Sequence, residues 1–108
     1  MGLQPEYGQS PTMSAIVWLP EALDDLNRVY AFLESKNPDA AARAVKAIFG
    51  AVDSLAENPL RCPQLRANPN RRKLRVFWGK RGYLIYFEIQ DDTVYIIQIW
   101  QGLEDRPT

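Results

Sequence analysis

Tyr83-Leu84-Ile85-Tyr86-Phe87-Glu88-Ile89-Gln90-Asp91-Asp92-Thr93-Val94-Tyr95-Ile96-Ile97-Gln98-Ile99-Trp100 decides the fold. Two runs rich in β-branched and aromatic residues, Tyr83–Ile89 and Val94–Trp100, flank the polar break Gln90-Asp91-Asp92-Thr93. Runs of this type and length read as strands, and so short a break joins antiparallel neighbours. Just upstream, Lys73–Trp78 is a third strand candidate, joined to the next by Gly79-Lys80-Arg81-Gly82. The three make an antiparallel meander. In the last strand, Gln98 marks the set Val94, Ile96, Gln98 and Trp100 as the less buried face. Tyr95, Ile97 and Ile99 are then expected to face the core. Val94, Ile96 and Trp100 form either sheet surface covered by the chain ends or a docking surface for another chain.

Working toward the N-terminus, Pro59, Pro63 and Pro69 punctuate a loop over residues 59–70. Before it lie two helical patterns. Leu23, Leu26, Tyr30 and Leu33, widened by Val29, recur at helical spacing after Pro20, with Glu21, Asp24 and Asp25 suited to the positive end of the helix dipole. Ala41, Val45, Ile48, Phe49, Val52 and Leu55 form a second stripe. Asn37-Pro38 separates the two as an N-cap and a first helical residue, which predicts a helical hairpin. Ala15–Trp18 is a short strand ended by Leu19-Pro20. Residues 1–12, with two Pro and two Gly and no apolar period, read as a flexible tail. The expectation is one domain over residues 13–108, in the order β-α-α-β-β-β. This is an α+β architecture, with the hairpin on one face of a small antiparallel sheet.

The chain has 108 residues, with 13 Lys plus Arg against 13 Asp plus Glu and no His. His-ligated zinc, Ser-His-Asp triads and imidazole acid–base catalysis are therefore excluded. Cys62 is the sole cysteine, which rules out an internal disulfide and reads as a packing thiol. No apolar run approaches the ~20 residues of a membrane helix, and no secretory signal pattern is seen. A cytoplasmic protein without metal or cofactor is expected.

Charge is distributed unevenly. Arg61, Arg66, Arg71, Arg72, Lys73, Arg75, Lys80 and Arg81 fall in one window that holds no Asp or Glu. On a strand, Lys73 and Arg75 share one face, opposite Leu74 and Val76. The cluster is either a solubilising edge that discourages strand pairing or a surface for an acidic partner.

The order and the residues resemble the RelE/ParE superfamily of bacterial type II toxin–antitoxin toxins, with the ParE branch closest. The resemblance is carried by Leu19-Pro20-Glu21-Ala22-Leu23-Asp24-Asp25-Leu26, Asn37-Pro38-Asp39-Ala40-Ala41, Leu55-Ala56-Glu57-Asn58-Pro59, Arg72-Lys73-Leu74, Gly82-Tyr83-Leu84-Ile85-Tyr86-Phe87-Glu88-Ile89, and Asp91-Asp92-Thr93-Val94 through Trp100-Gln101-Gly102. It implies a growth-inhibiting toxin neutralised by a cognate antitoxin in a hetero-oligomer. ParE-like members inhibit DNA gyrase by binding, whereas RelE-like members cut messenger RNA on the ribosome.

RelE-type toxins carry Arg directly after the Gly-Tyr of the central strand; here Leu84 stands there. They also carry a C-terminal aromatic residue, and Gln101-Gly102-Leu103-Glu104-Asp105-Arg106-Pro107-Thr108 holds no Tyr. Many ParE-like chains have His where this one has Gln101. The favoured expectation is a non-enzymatic, ParE-like inhibitor that does not read nucleic-acid sequence directly. Its target or antitoxin would meet Arg71, Arg72, Lys73, Arg75, Lys80, Arg81, Trp100 and Gln101. The alternatives are a RelE-like nuclease, using Lys73, Arg75, Arg81 and Tyr83, and a non-toxic binding member.

Overall fold

Asp91 and Asp92 take φ of +49° and +63°. Two successive left-handed residues make the turn type whose twist matches that of paired strands, and Asp tolerates this region better than most residues. The turn joins the two longest strands of the sheet. The computed structural model describes residues 14–80 and 82–101. The tail reading for 1–12, the start near Met13, Arg81 and residues 102–108 lie outside the described residues.

The described elements are β1 (Ala15–Trp18), α1 (Pro20–Glu34), α2 (Pro38–Asp53), β2 (Arg71–Val76), β3 (Tyr83–Gln90) and β4 (Thr93–Gln101), with two short 3-10 turns, Ser54–Ala56 and Pro59–Arg61, after α2. The sheet order is β1-β4-β3-β2. β2, β3 and β4 form the expected antiparallel meander, and β1 adds parallel to β4, so the sheet is mixed. The helical hairpin carries the chain away from β1, and the meander returns it alongside in the same direction. No described helix is long and apolar enough to cross a membrane.

Local chemistry sets the helix ends. Pro20 opens α1, and Leu19 C=O accepts from the N–H groups of Ala22 and Leu23 at 3.0 and 3.1 Å. Asn37 caps α2, with its side-chain oxygen accepting from Asp39 N–H at 3.0 Å and Ala40 N–H at 3.2 Å. Gly82 has φ +66°, and an added Cβ would sit 2.5 Å from Val76 C=O, so only glycine fits this corner of the β2–β3 connection.

The helix-side core joins Ala22, Leu26 and Val29 of α1 with Ala44, Ile48 and Val52 of α2. These pack on Leu74 and Val76 of β2, on Tyr83, Ile85 and Phe87 of β3, and on Val94, Ile96 and Ile99 of β4. Two expectations are corrected here. The α1 stripe is rotated, so Ala22 takes the buried place while Leu23 and Tyr30 are exposed. In β4, Val94 and Ile96 face the helices, and Tyr95 and Ile97 do not join that core.

The cause in β4 is a bulge. Phe87 pairs with Ile96 and Tyr86 pairs with Gln98, which leaves Ile97 as an extra residue. One inserted residue exchanges the faces of a period-two strand. Ile99 thus stays in the core, while Trp100 emerges on the open face against Leu65, Leu84 and Tyr86. β3 is buried on both sides from Tyr83 to Phe87, as befits a central strand.

β1 covers β4 only as far as Ile96. Beyond that point α1 takes over, since Asp25 Oδ2 accepts from Ile99 N–H at 2.9 Å. A helix side chain thereby completes the edge of the sheet. Asp25→Ala leaves that N–H without its carboxylate, and a loss of about 1–2 kcal/mol in urea unfolding is expected. Asp25→Asn keeps an acceptor and should lose less.

Candidate functional site

The strand register places the open face in rows. Arg75 pairs with Leu84, and Leu84 with Trp100; Lys73 pairs with Tyr86, and Tyr86 with Gln98; Arg71 pairs with Glu88, and Glu88 with Tyr95. The middle of this face is apolar. Leu84 is 1% exposed and packs with Tyr86, Leu65 and Trp100. The Tyr86 and Trp100 rings lie 6.2 Å apart, and Trp100 Nε1 donates to Gln98 Oε1 at 3.4 Å. Leu65 reaches this face from the loop before β2. Leu65 is the one large aliphatic residue between Pro63 and Pro69, which was the available signal for it, and the reading of 59–70 as plain loop missed it.

The basic cluster divides by role. Arg61 donates to Asn58 C=O at 2.8 Å and to Ser54 Oγ at 2.7 Å, which binds the two 3-10 turns together. Arg72 donates to Cys62 C=O at 2.6 Å and holds the loop against the strand. Arg71 Nε pairs with Glu88 Oε2 at 2.9 Å across the strands. The side chains of Lys73, Arg75 and Lys80 form no ion pair among the described residues. The Arg75 guanidinium lies 6.0 Å from the centre of the Phe77 ring, and Phe77 is 84% exposed.

Other predicted site residues lie elsewhere. Lys80, Tyr83 and Gln101 line a cavity of about 330 Å³ with Phe32, Leu33 and Trp78, between the end of α1 and the β2–β3 connection. Tyr83 stacks on Trp78 at 6.4 Å between ring centres, and burial pushes its phenol pKa up. It therefore lies on the opposite side of the sheet from Lys73 and Arg75. Arg81 falls outside the described residues. No three His, Cys, Asp or Glu side chains converge to hold a metal among the described residues.

The arrangement defines a small α+β domain with a cationic strand beside an apolar sheet face. A family model described as the ParE toxin of the type II toxin–antitoxin system parDE matches residues 16–106. "Toxin RelE1" of Caulobacter vibrioides is 34% identical over 82 residues, covering 76% of this chain and 86% of that one. "Toxin RelE3" of the same organism is 31% identical over 94 residues, covering 87% and 100%. In fold, the chain is similar to a structure of the chromosomal ParDE toxin–antitoxin system from P. aeruginosa, with TM-score 0.71, 21% identity, and 83% and 97% of the two chains covered. It is also similar to the RelBE2 toxin–antitoxin complex from Mycobacterium tuberculosis, with TM-score 0.62, 19% identity, and 88% and 98% covered. The chain belongs to the ParE toxin family of type II toxin–antitoxin systems, within the RelE/ParE superfamily.

Cys62 is buried, and desolvation raises its thiol pKa against the opposing pull of Arg61 and Arg72. The folded state thus holds the proton into a range where the unfolded thiol loses it. Any stability this contributes is complete below the ordinary thiol range and declines as pH rises through it. In the native protein at neutral pH, Ellman's reagent should modify Cys62 at least about tenfold more slowly than in urea. Equal rates would contradict the buried placement.

Proposed function

We propose that this chain is a ParE-like toxin that acts in the cytoplasm by binding DNA gyrase and is neutralised by a cognate antitoxin in a hetero-oligomer. The observation that carries this reading is Leu84. At the position where the resemblance associates Arg with RNA cleavage, this chain buries an aliphatic side chain among Leu65, Tyr86 and Trp100. RNA cleavage without metal needs a base, a donor for the leaving oxygen and charge stabilisation at one point. Lys73 and Arg75 supply charge on the open face, Tyr83 is on the far side, and the chain has no His. A partner can bind the cations and the apolar centre without any such assembly.

The second reading is a ribosome-dependent nuclease. The names of the Caulobacter relatives and the shared face of Lys73 and Arg75 favour it. The two readings differ in what purified protein does. The expected result is inhibition of gyrase supercoiling, weakened about tenfold or more when Lys73 and Arg75 are both changed to Glu, because opposed charges become like charges. Translated messages should stay intact during growth arrest. Normal supercoiling at excess protein, together with cleaved messages, would favour the nuclease. Induction with no growth defect would leave a non-toxic binding member.

A further inference from the structure

The outer edge of β2 is half covered by the chain itself. Leu65 N–H donates to Arg71 C=O at 2.9 Å, Arg71 N–H donates to Asn68 C=O at 2.9 Å, and Lys73 N–H donates to Pro63 C=O at 3.0 Å. The loop therefore runs beside the first half of β2 like a fragment of a fifth strand, with Gln64 bridging Arg72 in antiparallel sense. It stops at Pro63, which accepts from Lys73 but has no N–H to return. In an antiparallel ladder, backbone groups alternate between one side and the other. Arg71 and Lys73 turn their N–H groups outward, so Arg75 turns its N–H and C=O outward too. No described segment lies opposite Arg75.

We infer that the stretch Arg75–Phe77 is a strand-addition site for an extended acidic segment of a partner protein. That segment would carry a carboxylate facing Arg75 and an apolar side chain facing Phe77. Three observations meet here. The backbone donor and acceptor of Arg75 continue a ladder the chain has begun and left unfinished. The side chains of Lys73 and Arg75 form no ion pair among the described residues, so a carboxylate on the added strand completes a cross-strand pair. Phe77, on the same face as Arg75, is 84% exposed and offers an apolar anchor. A second copy of this chain would bring Arg75 against the same cationic surface, and a nucleic acid would leave the backbone groups unused. A protein strand matches all three. The inference rests on the reading of the chain as a binding protein, and it fixes where one partner lies.

The test uses the full chain, isotope-labelled, and a blocked peptide, Thr-Glu-Val-Leu-Val-Glu-Thr, which places carboxylates and an apolar side chain alternately on one face in either direction. Saturable binding is expected, with hydrogen exchange at the Arg75 amide slowed about tenfold or more at saturation. The same peptide methylated on its backbone nitrogens should not protect that amide. Arg75→Pro removes the outward N–H without touching the β2–β3 ladder, and it should weaken binding about tenfold. Arg75→Gln keeps the N–H, and binding to it should weaken less and depend less on salt. The inference is overturned by undiminished binding of the methylated peptide, by protection at β1 amides instead, by concentration-dependent protection without peptide, or by equal protection from a single-stranded oligonucleotide. Loss of peptide binding with intact gyrase inhibition would overturn this site and leave the proposed function standing.

Discussion

One extra residue in β4 governs how the sheet is used. Without the bulge at Ile97, a strand of this length would send either Val94 and Ile96 or Ile99 to the helices, never all three. With it, the first half of β4 turns its even-numbered residues inward beside β1. The second half turns Ile99 inward and presents Trp100 outward. Both faces of the sheet depend on that exchange. The helix side gains a continuous aliphatic core. The open side gains the aromatic neighbour that buries Leu84 and Tyr86.

Much of the architecture was legible because its punctuation is chemically specific. Asn37-Pro38 can cap and open a helix, and it does. Asp91-Asp92 can adopt the left-handed turn, and both residues do. The packing faces were less legible. Alternation in Val94–Trp100 assumes an unbroken ladder, and Ile96-Ile97 gives two adjacent apolar residues with no sign of which is inserted. On α1, the buried row is Ala22, Leu26 and Val29, and Leu23 lies off it, an allocation that the hydrophobicity of single residues does not encode.

The candidate site was legible as charge and illegible as allocation. A run of arginines in sequence looks like one field. In the fold, Arg61 and Arg72 satisfy carbonyl groups of loops, and Arg71 answers Glu88. These three act as internal fasteners, and what faces outward is a smaller set around Lys73 and Arg75. Which cation is spent inside depends on carbonyl groups of Asn58 and Cys62 and on the carboxylate of Glu88, partners that the run of charges does not show. The same limit applies to Lys80 and Gln101, which meet at a cavity whose walls include α1.

The parallel pairing of β1 with β4 also sets an order of events for the folding chain. The α1–α2 hairpin and the β3–β4 hairpin each close over a few residues, while Ile16 meets Val94 only after almost the whole described chain is in place. Closing so long a loop costs entropy that local contacts do not incur, so local elements form before distant ones are fastened. β1 is thus the clasp of the fold, the strand whose pairing carries the largest loop-closure cost in the sheet. Until it closes, the outer edge of β4 from Thr93 to Ile96 is an unpaired strand edge open to other chains, a period of vulnerability that begins at synthesis and ends when the first strand docks.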